Sequence, residues 1–402
     1  MNKHAVFLKD VAVLSVGQGL AQIIPALITP FTARLYTPKM QGEFALYISA
    51  INILSQVCAL KYDHAVSAAD NIEDSAALAM LSMVISFLSA VMLICLFPLI
   101  FKLYGSLECM YYLPIGVLMT MTELVFVALG ISHGDFYIVS AALIFRALVW
   151  GAFQIILYRM GTLGLIFSRI AGDAAGAVLI ARCRCINFSV WKKISEVKRK
   201  YASYPRYMLP GAAVGALSGN TQSFFISSFY GAGQMGYSSM AERLLGIPVA
   251  VFSASLGRVF VRKAVNDMRN DGRVNFSARV VLGMSAVSAV VFGGIWLVAP
   301  YIVPFVLGDE WKEAAGFIRV QTILYAVKFV AVPLTVILPV LNEQRSIMLW
   351  QFLMLLLGLV VPVLHIIFGF EILVYLLCSA VLLSLGYVLF GLYCLAVLKK
   401  GG

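Results

Sequence analysis

Residues 76–101 read AALAMLSMVISFLSAVMLICLFPLIF, a run without a single charged side chain. Coiled into an α-helix it is roughly 39 Å long, more than the ~30 Å of hydrocarbon in a bilayer. Comparable runs recur along the chain, giving twelve expected spans at about 11–33, 43–60, 76–101, 111–131, 136–157, 161–181, 208–230, 237–261, 279–306, 314–340, 347–368 and 372–398. Barrel strands would instead show short alternating segments. A mean hydropathy of +0.93 and 61% hydrophobic residues exceed the needs of a soluble core. The expected fold class is therefore an all-α polytopic membrane protein.

The first span follows Lys3 and Lys9 and is too long for a signal-peptide core, so it is expected to stay in the membrane. Loop charge sets the orientation. With both termini inside, the inner loops hold nineteen Lys and Arg and the outer loops five, namely Arg34, Lys39, Lys102, Arg159 and Lys312. Both termini are expected in the cytoplasm. The net charge of +11 then needs no nucleic acid to explain it. Its densest part, residues 192–206, can lie against anionic membrane lipids, although a topology signal alone accounts for it.

The connection at residues 182–206 divides the chain into two sets of six spans, 1–181 and 207–402. Such a division is expected of a transporter built from two similar bundles. An internal echo accompanies it: YTPKMQG at 36–42 after the first span and YGAGQMG at 230–236 after the seventh. No loop exceeds about 25 residues, which leaves no room for a soluble catalytic domain. HExxH, GxSxG and P-loop motifs are absent, so no catalytic residues are assigned and transport is favoured over covalent chemistry. The four histidines do not cluster, and Cys183-x-Cys185 lacks further ligands, so neither a metal site nor a redox motif has support.

Six basic residues, Arg146, Arg169, Arg243, Arg258, Arg319 and Lys328, lie within the spans against three acids, Glu123, Asp173 and Glu242. Charges at such depth are costly and normally face a protein interior or wet cavity. Arg258 and Arg319 are close enough to span ends to snorkel. Arg169 and Asp173, four apart, can neutralise each other on one helix face. Arg146 and Lys328 have no acid three or four positions away, so each must find a partner across helices or face water. Glu123 could pair with either of them, or carry a coupling proton; Glu242 is a second coupling candidate. Gln18, Gln22, Pro25, Thr29 and Thr32 share one side of the first span, and Asn220 and Gln222 add polar groups to the seventh. These are candidate cavity-lining residues, with plain helix-to-helix hydrogen bonding as the competing reading.

Several stretches resemble the Wzx-type polysaccharide flippases of the multidrug/oligosaccharidyl-lipid/polysaccharide exporter superfamily. They are RLYTPKMQGEFALY (34–47), KYDHAV (61–66), YPRYMLPGA (204–212), AERLLGIP (241–248), LGDEWKEA (307–314) and VLNEQR (340–345). His64 and Ala65 depart from the family's more Leu- and Glu-rich second-span ending. The resemblance implies two six-helix bundles in a V shape that opens alternately to each side of the bacterial inner membrane. It implies as substrate an oligosaccharide repeat unit on undecaprenyl pyrophosphate, moved from the cytoplasmic to the periplasmic leaflet for surface polysaccharide or O-antigen assembly. A polysaccharide polymerase and a chain-length regulator are the implied protein partners, and an H⁺ or Na⁺ gradient the implied energy source, with no cofactor. Arg34, Arg146, Arg243 and Lys328 are the candidate pyrophosphate-binding cations. Two other classes stay open: a drug antiporter of the same superfamily, disfavoured by the excess of bases, and a membrane-embedded glycan polymerase, disfavoured by the lack of a large loop.

Overall fold

The computed structural model describes residues 3–104, 108–183, 188–270, 278–335, 338 and 344–400. The described residues form thirteen α-helices and no strand. They are α1 (Lys3–Leu35), α2 (Pro38–Cys58), α3 (Tyr62–Ser67), α4 (Ile72–Tyr104), α5 (Leu113–Ser132), α6 (Phe136–Ile156), α7 (Thr162–Cys183), α8 (Ile194–Lys200), α9 (Leu209–Asn270), α10 (Ala278–Leu307), α11 (Ala314–Thr335), α12 (Gln344–Phe368) and α13 (Ile372–Lys400). A helix satisfies its own backbone polar groups, which hydrocarbon cannot do. Among the described residues nine helices are long and apolar enough to cross a membrane. The more polar α2 and the two parts of α9 supply the remaining long helices. The chain is a multi-pass membrane protein.

The seventh and eighth spans differ from expectation at their junction. A six-residue loop at 231–236 was expected, yet helix resumes after one residue, Gly231, at φ 86° and ψ 171°. Glycine lacks the Cβ that forbids this backbone, so the chain turns in a single step. The short α3 and α8 are additions that hydropathy does not reveal.

The chain forms two compact units, residues 1–36 with 43–216, and residues 37–42 with 217–402. In the first, α6 packs on α1 and α7, and α5 on α4 and α7. The described part of the basic connection belongs to this unit, whose boundary lies at Ala216 where a linker at 182–206 was expected. It is bound there by charge: Lys200 Nζ lies 2.8 Å from Asp70 Oδ2 and 2.6 Å from Asp74 Oδ2, and Lys193 pairs with Glu73. These acids stand at the start of α4, which Asn71 caps by accepting the Asp74 N–H at 2.7 Å. Beneath them Tyr62, Val66, Leu78, Leu129, Val197 and Tyr201 form an apolar core. Hydrogen bonding to Lys200 holds the Asp70 carboxyl below its ordinary range, and Asp70 and Asp74 together raise the Lys200 ammonium above its own.

In the second unit α11 packs against α10 and α13, and α12 against α13. The echoed stretches meet here. A Cβ on Gly42 would strike the carbonyl of Ala232, and one on Gly236 the carbonyl of Pro38. The correspondence between YTPKMQG and YGAGQMG is thus one of packing, each glycine admitting the other stretch's backbone.

Candidate functional site

In the first unit the intramembrane charges converge on α7. Its GDAAG segment, residues 172–176, puts glycines either side of Asp173. A Cβ on Gly172 would come within 2.9 Å of Trp150 Cβ and one on Gly176 within 3.3 Å of Arg146 Cβ, so only small residues let α6 come this close. The approach delivers Arg146 to two acids. Its Nε lies 3.0 Å from Asp173 Oδ1, and its terminal nitrogen 3.2 Å from Glu123 Oε1. Asp173 also takes Arg169 Nε at 3.1 Å and the Thr120 hydroxyl at 2.7 Å on Oδ2. Arg169 rests over the Trp150 ring at 5.3 Å. Two guanidiniums and two carboxylates cancel, with the acids only 1–2% exposed. Arg146 therefore is not an unpaired cation: its partners lie on α5 and α7, beyond the reach of a same-helix spacing test. The Glu123–Arg146 pairing is present, and Asp173 is shared where only Arg169 was expected to hold it.

The second unit is different. Lys328, on α11, has its ammonium 4.7 Å from the centre of the Tyr325 ring and 5.6 Å from that of Tyr387 on α13. Glu242 on α9 acts on it electrostatically. Among the described residues neither Lys328 nor Arg243 has a carboxylate within ion-pair distance, and both are half-buried. Arg319 donates from Nε to the Trp296 carbonyl at 3.1 Å and lies over that indole at 4.3 Å. The side chain of Arg258 lies outside the described residues, as does most of VLNEQR at 340–345. The surplus of bases over acids is thus concentrated in the second unit.

The other expected residues are dispersed. Arg34 is exposed in the last turn of α1. On the same helix Gln18 and Gln22 are uncovered, whereas Thr29 and Thr32 are buried and donate to the carbonyls of Pro25 and Thr29. The expected polar face is therefore divided, its lower threonines spent on the helix backbone. Asn220 and Gln222 are half-buried on α9. Sequence reasoning missed Tyr325, Tyr387 and the GDAAG crossing. Tyr325 stands three residues before Lys328 and was readable as a same-face neighbour; Tyr387 comes from another helix and left no such signal.

Residues 31–316 match the sequence profile of a family described as polysaccharide biosynthesis protein. The chain belongs to that family. No curated protein matches the sequence significantly. Among solved structures, an inward-facing multidrug resistance MATE family transporter of the MOP superfamily superposes with a TM-score of 0.67 at 13% identity, over 100% of this chain and 99% of that one. The lipid II flippase MurJ, in an inward closed conformation, gives 0.70 at 14% identity over 96% and 87%. A MOP superfamily transporter from Pyrococcus furiosus, described by a reverse polarity of its binding pocket, gives 0.62 at 12% over 98% and 96%. At these identities the likeness is one of fold. This member of the polysaccharide biosynthesis family has the fold of MOP superfamily transporters.

Proposed function

We propose that this protein flips undecaprenyl-pyrophosphate-linked oligosaccharide repeat units from the cytoplasmic to the periplasmic leaflet of the bacterial inner membrane, by alternating access, during surface polysaccharide or O-antigen synthesis. One observation carries the reading: in a polysaccharide biosynthesis protein with a transporter fold, Lys328 and Arg243 have no carboxylate contact among the described residues while the charges of the first unit cancel. A cation within a membrane span that lacks an ion-pair contact is stabilised by an anionic ligand, and a pyrophosphate offers several charge-assisted acceptors. In this scheme Lys328 and Arg243 of the second unit take the pyrophosphate. Glu242 is the acid through which an H⁺ or Na⁺ gradient would act, since Glu123 is already held by Arg146. Both termini and α8 are cytoplasmic, and a polymerase and chain-length regulator receive the flipped unit.

The likeness to multidrug transporters favours a second reading, export of cationic drugs. Such cargo needs free carboxylates, and both intramembrane acids of the first unit are engaged by arginines. The deciding experiment is deletion of the gene. Lipid-linked repeat units should accumulate in the inner leaflet while their synthesis continues. A strain that stops making the lipid-linked unit would identify an assembly enzyme, and unchanged surface polysaccharide would favour the drug antiporter.

A further inference from the structure

The two intramembrane cation sites are stabilised by different chemistry. Arg146 and Arg169 are held by carboxylates, which fix a cation and cancel it. Lys328 is held against the rings of Tyr325 and Tyr387, which attract a cation through their quadrupoles and carry no net charge. Each ring is itself set in place. Trp350 packs edge-on against Tyr387 at 5.3 Å and stacks on Phe390 at 4.3 Å. Tyr325 lies over the face of α9 at Gly246, where a Cβ would meet its ring at 3.9 Å. Glu242 acts on the ammonium without ion-pair contact.

We propose that Tyr325 and Tyr387 are positioning residues for Lys328: their ring faces fix the ammonium in place while leaving its charge free for the anionic group of the substrate. This rests on the reading of Lys328 as a pyrophosphate-binding cation. The rings act through Lys328 and do not themselves touch the phosphates. Their hydroxyls are dispensable and their aromatic faces are not.

The test has one readout without ligand and one with it. In the full chain, reductively methylated with ¹³C, the Lys328 methyl resonance, assigned by its loss in Lys328→Arg, should be ring-current shifted away from the other lysines. Tyr325→Phe and Tyr387→Phe should retain the shift, Tyr325→Leu, which removes the nearer ring, should lose most of it, and Tyr387→Leu should lose a smaller part. With farnesyl pyrophosphate as the probe, Tyr387→Leu should bind on the order of tenfold more weakly, the loss of one desolvated cation–π contact, and Tyr387→Phe within about twofold of the parent. In a Lys328→Met background Tyr387→Leu should add almost nothing. An unshifted methyl overturns the ring contact even where Lys328→Met abolishes binding. Phe variants as weak as the Leu variant, or an undiminished Tyr387→Leu effect in the Lys328→Met background, overturn the positioning role. Parent-level probe binding by Lys328→Met, with the methyl of the parent chain shifted as expected, removes Lys328 from anion binding and takes the tyrosines' role with it.

Discussion

Replacing Asp173 by Asn keeps the shape of the side chain and removes its charge and one acceptor, and the surroundings say what that should cost. The side chain is 1% exposed and faces Arg146 at 3.0 Å, Arg169 at 3.1 Å and the Thr120 hydroxyl at 2.7 Å. The amide oxygen can still accept from Thr120 and Arg169, but the amide nitrogen, itself a donor, then faces Arg146 Nε, so the negative charge and one acceptor are lost together. Two guanidiniums then share Glu123 alone, leaving one buried positive charge uncompensated. Breaking a buried pair from one side costs about 3–5 kcal/mol. The lower end applies, because the arginine side chains keep 16–23% exposure and Arg169 keeps the Trp150 face. About 3 kcal/mol is roughly a hundredfold in the folded-to-unfolded ratio. Adding Arg169→Leu restores the balance as one Arg146–Glu123 pair and should recover most of the loss. Thermal unfolding of the purified protein in detergent, followed by tryptophan fluorescence, reads both variants. Parental stability in Asp173→Asn, or a double variant no better than the single, would refute a structural ion-pair network. Normal stability with altered export would move these acids into the transport cycle.

Other outcomes follow from single features. Lys328→Ala should abolish export at normal membrane yield, with Lys328→Arg keeping part of the activity because the charge survives; full export by the alanine variant would remove Lys328 from the binding site. Gly42→Leu and Gly236→Leu should each reduce the yield of folded protein in membranes, since either side chain would be driven into a facing backbone carbonyl; normal yields would show that this crossing is not needed for folding. Docking of α8 on α4, followed by hydrogen exchange, should be insensitive to pH between about 4 and 10. The depressed Asp70 carboxyl loses its contribution only as pH falls through its folded value, and the raised Lys200 only as pH rises through its own. Lys200→Ala should loosen α8, and release near neutral pH would contradict this assignment. Reporter fusions in residues 192–200 should lie in the cytoplasm, and a periplasmic signal there would invert the topology and the direction of transport.

Hydropathy located the long helices because each apolar run states its own length, and a bilayer thickness is the only scale needed to read it. Near Gly231 it failed by a few residues, since one positive-φ glycine replaces a loop without changing the average polarity. Asp173 with Arg169 was legible for a similar reason: four residues along a helix is a fixed distance. Arg146 was not. Its partners are 23 and 27 positions away on α5 and α7, and what joins them is the close crossing of α6 and α7 at Gly172 and Gly176.

The same limit governs what an excess of intramembrane bases can mean. An inventory of six bases against three acids treats each surplus cation as equally available to a substrate. Folding makes them unequal: two are cancelled by carboxylates, Arg319 turns to an indole and a carbonyl, and Lys328 is met by aromatic faces that leave its charge in place. A carboxylate in ion-pair contact with Lys328 would have stabilised the span more strongly and left less field for an anion to feel. On the proposed pyrophosphate-binding reading, tyrosine at these positions leaves the charge of the half-buried lysine to the anion. Tyr387→Glu is the corresponding perturbation: it should keep or raise thermal stability while abolishing pyrophosphate binding. Retained binding in that variant would show that the charge of Lys328 is not what the substrate reads.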